Sequence, residues 1–299
     1  MKFSDKWKTW FIVSGIVIAL GLISLLMPGR GLNLGIDFTG GNLFTLKFTA
    51  AVTEAQVREV LAQHGLGASG IQMAQSLGGS AAAGQEVIVQ TPPITQEQKA
   101  QVLSDLTAKL GPYEKLGDEA VDAAFSRELR TKAFLALLLA SVGMVIYITF
   151  RFEFKFAIAA ITALLHDSLI VVGIFSLLRI PVSISFVAAI LTIVGYSIND
   201  TIVVFDRLRE NLKLRRGKTL REIVDNSINE TLTRSINTAL TTLFAITAVL
   251  LLGGSTVREF SLALVLGIVV GTYSSIFIAS PIWLLWRESE QRKPQAAGK

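Results

Sequence analysis

Five residues that can carry charge or a strong dipole stand inside otherwise apolar sequence: His166-Asp167, Asn199-Asp200 and Arg234. Such groups are costly inside a bilayer and mark ion paths or paired structural sites. Each is set in a polar stripe. Ser185, Thr192, Tyr196 and Asn199 are spaced by seven, four and three residues and share one helical face, which Asp200 borders four residues after Tyr196. Arg234, Asn237, Thr238 and Thr241 make a second stripe. Two such faces are poor lipid-facing surfaces, so they should face each other, a partner or a wet cavity. The chemistry available is proton transfer. Low dielectric favours a neutral carboxylic acid and a nearby guanidinium favours the carboxylate, so a carboxylate whose distance to an arginine changes can load and release protons. Moving one charge through 100 mV is worth about 2.3 kcal/mol, enough to bias a modest conformational change. Asp200 with Arg234 is the leading pair and Asp167 the second candidate. His166 points about 100° away from Asp167 around a helix and either shares its task or bonds across helices. The competing reading is a static ion pair, or an arginine that snorkels to the headgroups.

The elements that must position these groups are membrane helices. Of 299 residues, 51% are hydrophobic and 17% charged, against about 25% charge in a soluble domain. The apolar residues gather in six stretches long enough to cross a bilayer: 9–27, 133–150, 156–178, 183–205, 235–252 and 261–286. This excludes an ordinary cytosolic enzyme. Zero cysteines exclude disulfides, thiolate catalysis and Cys-ligated zinc. The two histidines, His64 and His166, lie far apart, so no metal site is expected. With the N-terminus inside, segments 1–8, 151–155, 206–234 and 287–299 hold 17 of the 28 Lys and Arg, so both termini are expected to be cytoplasmic. The cationic residues hug span ends, which excludes nucleic acid as a partner. Trp7, Trp10, Trp283 and Trp286 sit near predicted interfaces. Segment 206–234 carries a capping box, Thr219-x-x-Glu222. It reads as an amphipathic helix on the membrane surface or against a partner, or as a solvated linker. Gly267-x-x-x-Gly271 fits close helix packing.

The expected organisation is 1–27 as cytoplasmic N-terminus and first helix, 28–130 as an external domain, 131–286 as five further helices with the cytoplasmic loop 206–234, and 287–299 as a cytoplasmic tail. In the external domain, 32–38 and 42–48 read as strands joined at Thr39-Gly40-Gly41, where glycine permits a tight turn. Asp37 beside Gly40 and Gly41 reads as a turn-forming aspartate of a structural motif. Thr53-x-x-Gln56 and Thr95-x-x-Gln98 are capping boxes opening two helices, with strands near 71–77, 86–91 and within 113–123, and a low-complexity loop over 78–85. His64 fits a helix C-terminus. The order β-α-β-β-α-β is the split βαβ, ferredoxin-like pattern. The fold class expected is therefore a membrane α-helical bundle of six transmembrane helices with an inserted α+β, ferredoxin-like external domain.

Several motifs carry a resemblance: Gly35-Ile36-Asp37-Phe38-Thr39-Gly40-Gly41, Phe150-Arg151-Phe152-Glu153, His166-Asp167, the run Gly195-Tyr196-Ser197-Ile198-Asn199-Asp200 through Arg207, and Thr231-Leu232-Thr233-Arg234-Ser235. In order and over nearly the whole chain, they resemble the SecF family of the bacterial SecD–SecF translocation complex, a half-unit of the RND superfamily. The resemblance implies a heterodimer with SecD, action on a translocating preprotein at SecYEG, and YajC as a further partner. It also implies the inner membrane as location, no cofactor, and protons as the coupling ion. It carries the proton-coupling aspartate and arginine onto Asp200 and Arg234, and implies a ferredoxin-like external domain. The protein would be a transport subunit and no enzyme, using the proton motive force to promote late translocation and release.

Three rivals remain. An RND-type exporter of small molecules or lipids needs a larger external portion than about 100 residues supply. An intramembrane protease would need His-Glu-x-x-His or Gly-x-Gly-Asp, and neither occurs. A non-catalytic scaffold is the serious competitor, because buried polar residues can specify packing without moving protons.

Overall fold

A computed structural model describes residues 3–28, 30–74, 85–214 and 217–296. In chain order the main elements are α1 (Trp7–Leu26), a helical turn (Ile36–Thr39), β1 (Gly41–Phe48), α2 (Glu54–Gln63), β2 (Gly70–Ala74), β3 (Gln85–Thr91), α3 (Gln96–Leu110), β4 (Tyr113–Val121), α4 (Ala123–Arg151), α5 (Phe154–Leu177), α6 (Ile184–Lys213), α7 (Leu220–Leu252), α8 (Ser255–Ser274), a π-helical turn (Ser275–Ala279) and α9 (Ser280–Ala296). The chain forms two compact units, residues 34–135 and residues 1–33 with 136–299.

Alternation builds the unit 34–135. Phe44, Leu46 and Phe48 of β1 point to one face with Val87 and Val89 of β3. They meet Val57, Val60 and Leu61 of α2 and Val102 and Leu106 of α3 in one buried cluster. The sheet is antiparallel in the order β2-β3-β1-β4. Both helices open on full capping boxes, Thr53 with Gln56 and Thr95 with Gln98, as their spacing predicts. His64 follows α2, and its Nε2 lies 2.9 Å from Asp105 Oδ2 on α3. The low-complexity stretch lies outside the described residues up to position 84.

The segment before the sheet differs from expectation. Residues 32–38 are not a strand paired to 42–48. Ile36–Thr39 closes a helical turn in which Gly40 N–H donates to Ile36 O at 2.8 Å, and Ile36 and Phe38 are buried. Gly40 and Gly41, at φ +75° and +124°, then turn the chain into β1. A Cβ on Gly41 would overlap the Thr91 carbonyl, so the edge-on approach of β3 leaves room only for hydrogen. Alternation of apolar residues at 34, 36 and 38 also fits one turn of helix, which is how a short run misleads.

Among the described residues six helices are long and apolar enough to cross a membrane. Phe156 of α5, Phe205 of α6 and Trp283 of α9 stack at the centre of the other unit, the Phe156 and Trp283 rings 4.9 Å apart. Glycine sets the closest crossings. A Cβ on Gly21 of α1 would sit 2.7 Å from Gly173 Cα of α5, and one on Gly271 would sit 3.0 Å from Ser197 Cβ of α6. The glycine pair Gly267 and Gly271 is therefore a packing motif of α8 against α6.

Span ends run past the apolar stretches. α4 begins at Ala123, ten residues before the expected span, because Asp122 caps it by accepting Ala124 N–H at 2.7 Å and the Arg-Glu-Leu-Arg run consists of good helix formers. Segment 206–234 is no separate surface helix. α6 continues to Lys213 and α7 runs unbroken from Leu220 to Leu252. Ile223, Val224 and Ile228 pack into the same core as Phe205 and Leu208, and Arg207 bonds Glu230 at 2.6 Å. This apolar stripe draws the charged segment into the bundle as a helical hairpin.

Candidate functional site

The five sequence-singled residues separate into two polar centres. The first lies between α6 and α7. Asp200 is 9% exposed, and its Oδ1 accepts the Ser235 hydroxyl at 2.6 Å. Its Oδ2 is shielded and has no hydrogen-bond donor among the described residues. Asp200 borders a cleft of about 80 Å³ lined by Tyr196, Asn199, Val203, Arg234 and Thr238, large enough for water molecules. Tyr196 and Thr242 touch across it, the hydroxyls 3.5 Å apart. Tyr196 and Asn199 of the first stripe and Arg234 and Thr238 of the second thus line one cleft. Asn199, Arg234, Asn237, Thr238 and Thr241 remain exposed, so the stripes also present a polar band outward from the chain. No ion pair within 4.0 Å joins Arg234 to Asp200 among the described pairs. Asp200 and Arg234 thus share the cleft without direct contact.

The second centre is closed. Asp167 is 1% exposed and takes three hydrogen bonds. His166 Nδ1 lies 2.8 Å from Oδ1, while Oδ2 accepts Ser197 of α6 at 2.5 Å and Ser274 of α8 at 2.8 Å. The His166 ring lies against Tyr273 at 6.1 Å, and Tyr273 donates to the Trp10 carbonyl of α1 at 3.0 Å. Just beyond Ser274, Ser275 pairs with Thr201 at 2.9 Å. Asp167 therefore ties α5, α6 and α8 together, with His166 bonded to it from the same helix. His166 and Asp167 are not brought to the Arg234 cleft.

Asp37, Gly40 and Gly41 stand in the other unit, Asp37 in the helical turn Ile36–Thr39 and the two glycines at positive φ where the chain enters β1. Sequence reasoning assigned no site role to Ser197, Ser235 or Ser274, the hydroxyls that donate to the two aspartates. A serine inside a span usually bonds its own helix backbone, so its type carries little signal. The cluster Ser274-Ser275 followed by Ser280 in an apolar stretch was the available hint. No group of three or more His, Cys, Asp or Glu suited to a metal ion occurs among the described residues.

Nearly the whole chain is similar to known proteins. A family model described as "Protein export membrane protein SecD/SecF, C-terminal" matches residues 102–289, and one described as "SecD/SecF GG Motif" matches residues 25–52. The second spans Asp37, Gly40 and Gly41. A protein translocase subunit SecF from Acidaminococcus fermentans is 45% identical, covering 95% of this chain and 97% of that protein. A SecF subunit from Sebaldella termitidis is 41% identical, covering 100% of this chain and 96% of the relative. The crystal structure of SecDF, a translocon-associated membrane protein from Thermus thermophilus, superposes with a TM-score of 0.85 at 39% identity. It covers 96% of this chain, and this chain spans 39% of it.

Proposed function

The chain belongs to the SecD/SecF family of protein export membrane proteins, and we propose that it works with SecD as the proton-coupled subunit of a protein translocase. Its relatives are translocase subunits with a role in transport. In this reading the proton motive force drives late translocation and release of preproteins from SecYEG, with YajC as an accessory partner. The chain is a multi-pass protein of the inner membrane with both termini cytoplasmic. Unit 34–135 is a ferredoxin-like domain on the far side, a reading supported by its β-α-β-β-α-β order and antiparallel sheet. The name SecDF of the matching structure, of which this chain covers 39%, supports SecD as the partner. A SecD helix against the outward polar band at Asn199, Arg234 and Thr238 would shield it from lipid.

The observation that carries the proposal is the Arg234 cleft. A buried carboxylate with one unmet oxygen shares a water-sized space with a guanidinium that does not pair with it. Protons are the coupling ion, and no cofactor is assigned. Asn199 lines the proton's access to Asp200. Asp167 and His166 belong to the coupling set through the helices they join. The three hydrogen bonds taken by Asp167 also favour a second reading for that residue, a static scaffold inside the bundle.

The test is secretion of a reporter in cells whose only copy carries Asp200→Asn, with accumulation and SecD pull-down checked. Normal assembly with export that no longer depends on the proton gradient is the expected result. Unchanged gradient dependence moves Asp200 to the scaffold reading.

A further inference from the structure

Asp225 is a 9% exposed carboxylate near the start of α7 that the coupling reading leaves unused. Its Oδ1 accepts the backbone N–H groups of Phe3 at 3.0 Å and Ser4 at 2.8 Å, and its Oδ2 accepts the Ser4 hydroxyl at 2.9 Å. Ser4 itself is 1% exposed. The Phe3 ring meets Phe277 of the π turn edge-on at 5.7 Å. One turn earlier on α7, Arg221 holds Glu288 of α9 through two bonds of 2.7 and 2.9 Å and lies 3.8 Å from Asp5. The N-terminal segment, the base of α7 and the last helix are therefore fastened together at one end of the bundle.

Beyond that base α7 packs on α6 and α8 with one face, where Ala239 is buried and Ser235 bonds Asp200. Its other face is open: only 11% of its most apolar stretch is buried, and Leu240, Phe244, Val249 and Leu252 are exposed. Arg234 sits nine residues past Asp225, about 13 Å along the helix axis. A helix held along one face and tied at its base takes part of its direction from that tie. Charge-assisted hydrogen bonds to a buried carboxylate are the strong kind, and all three here come from residues 3 and 4.

We propose that Asp225 is a positioning residue: by capturing the N-terminal segment it fixes the base of α7 and so the distance of Arg234 from Asp200. This rests on the reading of Asp200 and Arg234 as the coupling pair.

The absence of cysteine from the sequence makes cysteine pairs clean probes. In the full chain assembled with SecD, spin labels at Ala188→Cys on α6 and Leu252→Cys on α7, both exposed positions, report the direction of α7. One narrow distance is expected with Asp225 present. Asp225→Ala should broaden it, and Asp225→Asn, which keeps an acceptor for the two N–H groups, should restore it. An unchanged distribution in Asp225→Ala overturns the proposal. In the export assay Asp225→Ala should lower gradient-stimulated secretion about tenfold, equal to about 1.4 kcal/mol of positioned population. A Ser4→Cys/Asp225→Cys pair joined by a short bis-methanethiosulfonate should recover it, and reduction should abolish the recovery. Equal export before and after bridging, in one preparation, also overturns the proposal, even if Asp225→Ala fails to accumulate. Broadening of the label distance in a complex whose export ignores the gradient upholds the positioning role and refutes the coupling reading instead.

Discussion

Gly21→Ala and Gly15→Ala place the same methyl on the same helix and should have opposite effects. A Cβ on Gly21 would lie 2.7 Å from Gly173 Cα and 3.5 Å from its carbonyl carbon. Carbon atoms rest about 3.5–4.0 Å apart, so α1 and α5 must part by about 1 Å, and both atoms are backbone with no side chain to yield. Overpacking of this kind costs about 1–3 kcal/mol. One turn further, the Ser24 and Ser176 hydroxyls bond across the same crossing at 2.8 Å and would open with it, adding about 0.6–1.7 kcal/mol. Alanine also gains about 1 kcal/mol of helix propensity at this position, so the expected net loss for Gly21→Ala is about 1–4 kcal/mol. A Cβ on Gly15 meets nothing within 4 Å, and alanine there gains helix propensity of about 1 kcal/mol. Trp10 of α1 packs on Phe277 at 4.3 Å, so tryptophan fluorescence follows undocking of α1. Purified full-length protein titrated from mild detergent into dodecyl sulfate should lose this contact early in Gly21→Ala and at or after the wild-type midpoint in Gly15→Ala. Equal midpoints for the two variants would refute the close crossing as the seat of α1 docking.

Gly41→Ala should release β1 from β3, because φ +124° alone costs an L-residue about 1–3 kcal/mol and the methyl also meets the Thr91 carbonyl. Faster hydrogen exchange across 41–48 in the full chain reports it. Thr219→Ala should destabilise the start of α7 by about 1 kcal/mol through its capping box, and Thr219→Ser should not; exchange at residues 220–223 distinguishes them. In the external unit, partial burial pushes the Asp118 carboxyl up, but hydrogen bonds and charge from Lys99 and Lys115 outweigh this and hold it below its ordinary value. The bonds therefore stabilise the fold fully above the unfolded carboxylate pKa of about 3.9 and are lost as pH falls below it through the folded value. Protection of β4 and α3 should decline on acidification in wild type and less steeply in Asp118→Asn. An identical pH profile in the two proteins would remove Asp118 from the account.

What could be read before the coordinates follows periodicity and cost. The stripe Ser185, Thr192, Tyr196, Asn199 and the stripe from Arg234 were legible because polar residues at helical spacing in a membrane span have few places to go, and Tyr196, Asn199, Arg234 and Thr238 line one cleft at Asp200. The sheet was legible from alternation and two capping boxes. The helical turn at Ile36–Thr39 was not, since four residues cannot separate a period of two from one of 3.6. Nor were the ends of α4 and α7, because charged helix formers continue a helix as readily as they leave it. Asp167 was legible as an expensive residue but not as a closed centre. Its donors Ser197 and Ser274 lie 30 and 107 residues away and become neighbours only through packing set by Gly271.

The π turn at Ser275–Ala279 has a consequence for angular phase. An α-helix advances about 100° per residue, so nine residues, the separation of Ser274 from Trp283, would put the two on opposite sides of an unbroken helix. Yet Ser274 bonds Asp167 and Trp283 stacks on Phe156, and both partners belong to α5. The wide turn takes up about one extra residue without advancing the face, which reduces the offset to about 80° and returns both side chains to the same neighbour. The segment thus works as a clutch between two helical registers. Removing a single residue from 275–279 would leave every downstream side chain present but rotated by more than a quarter turn away from its partner.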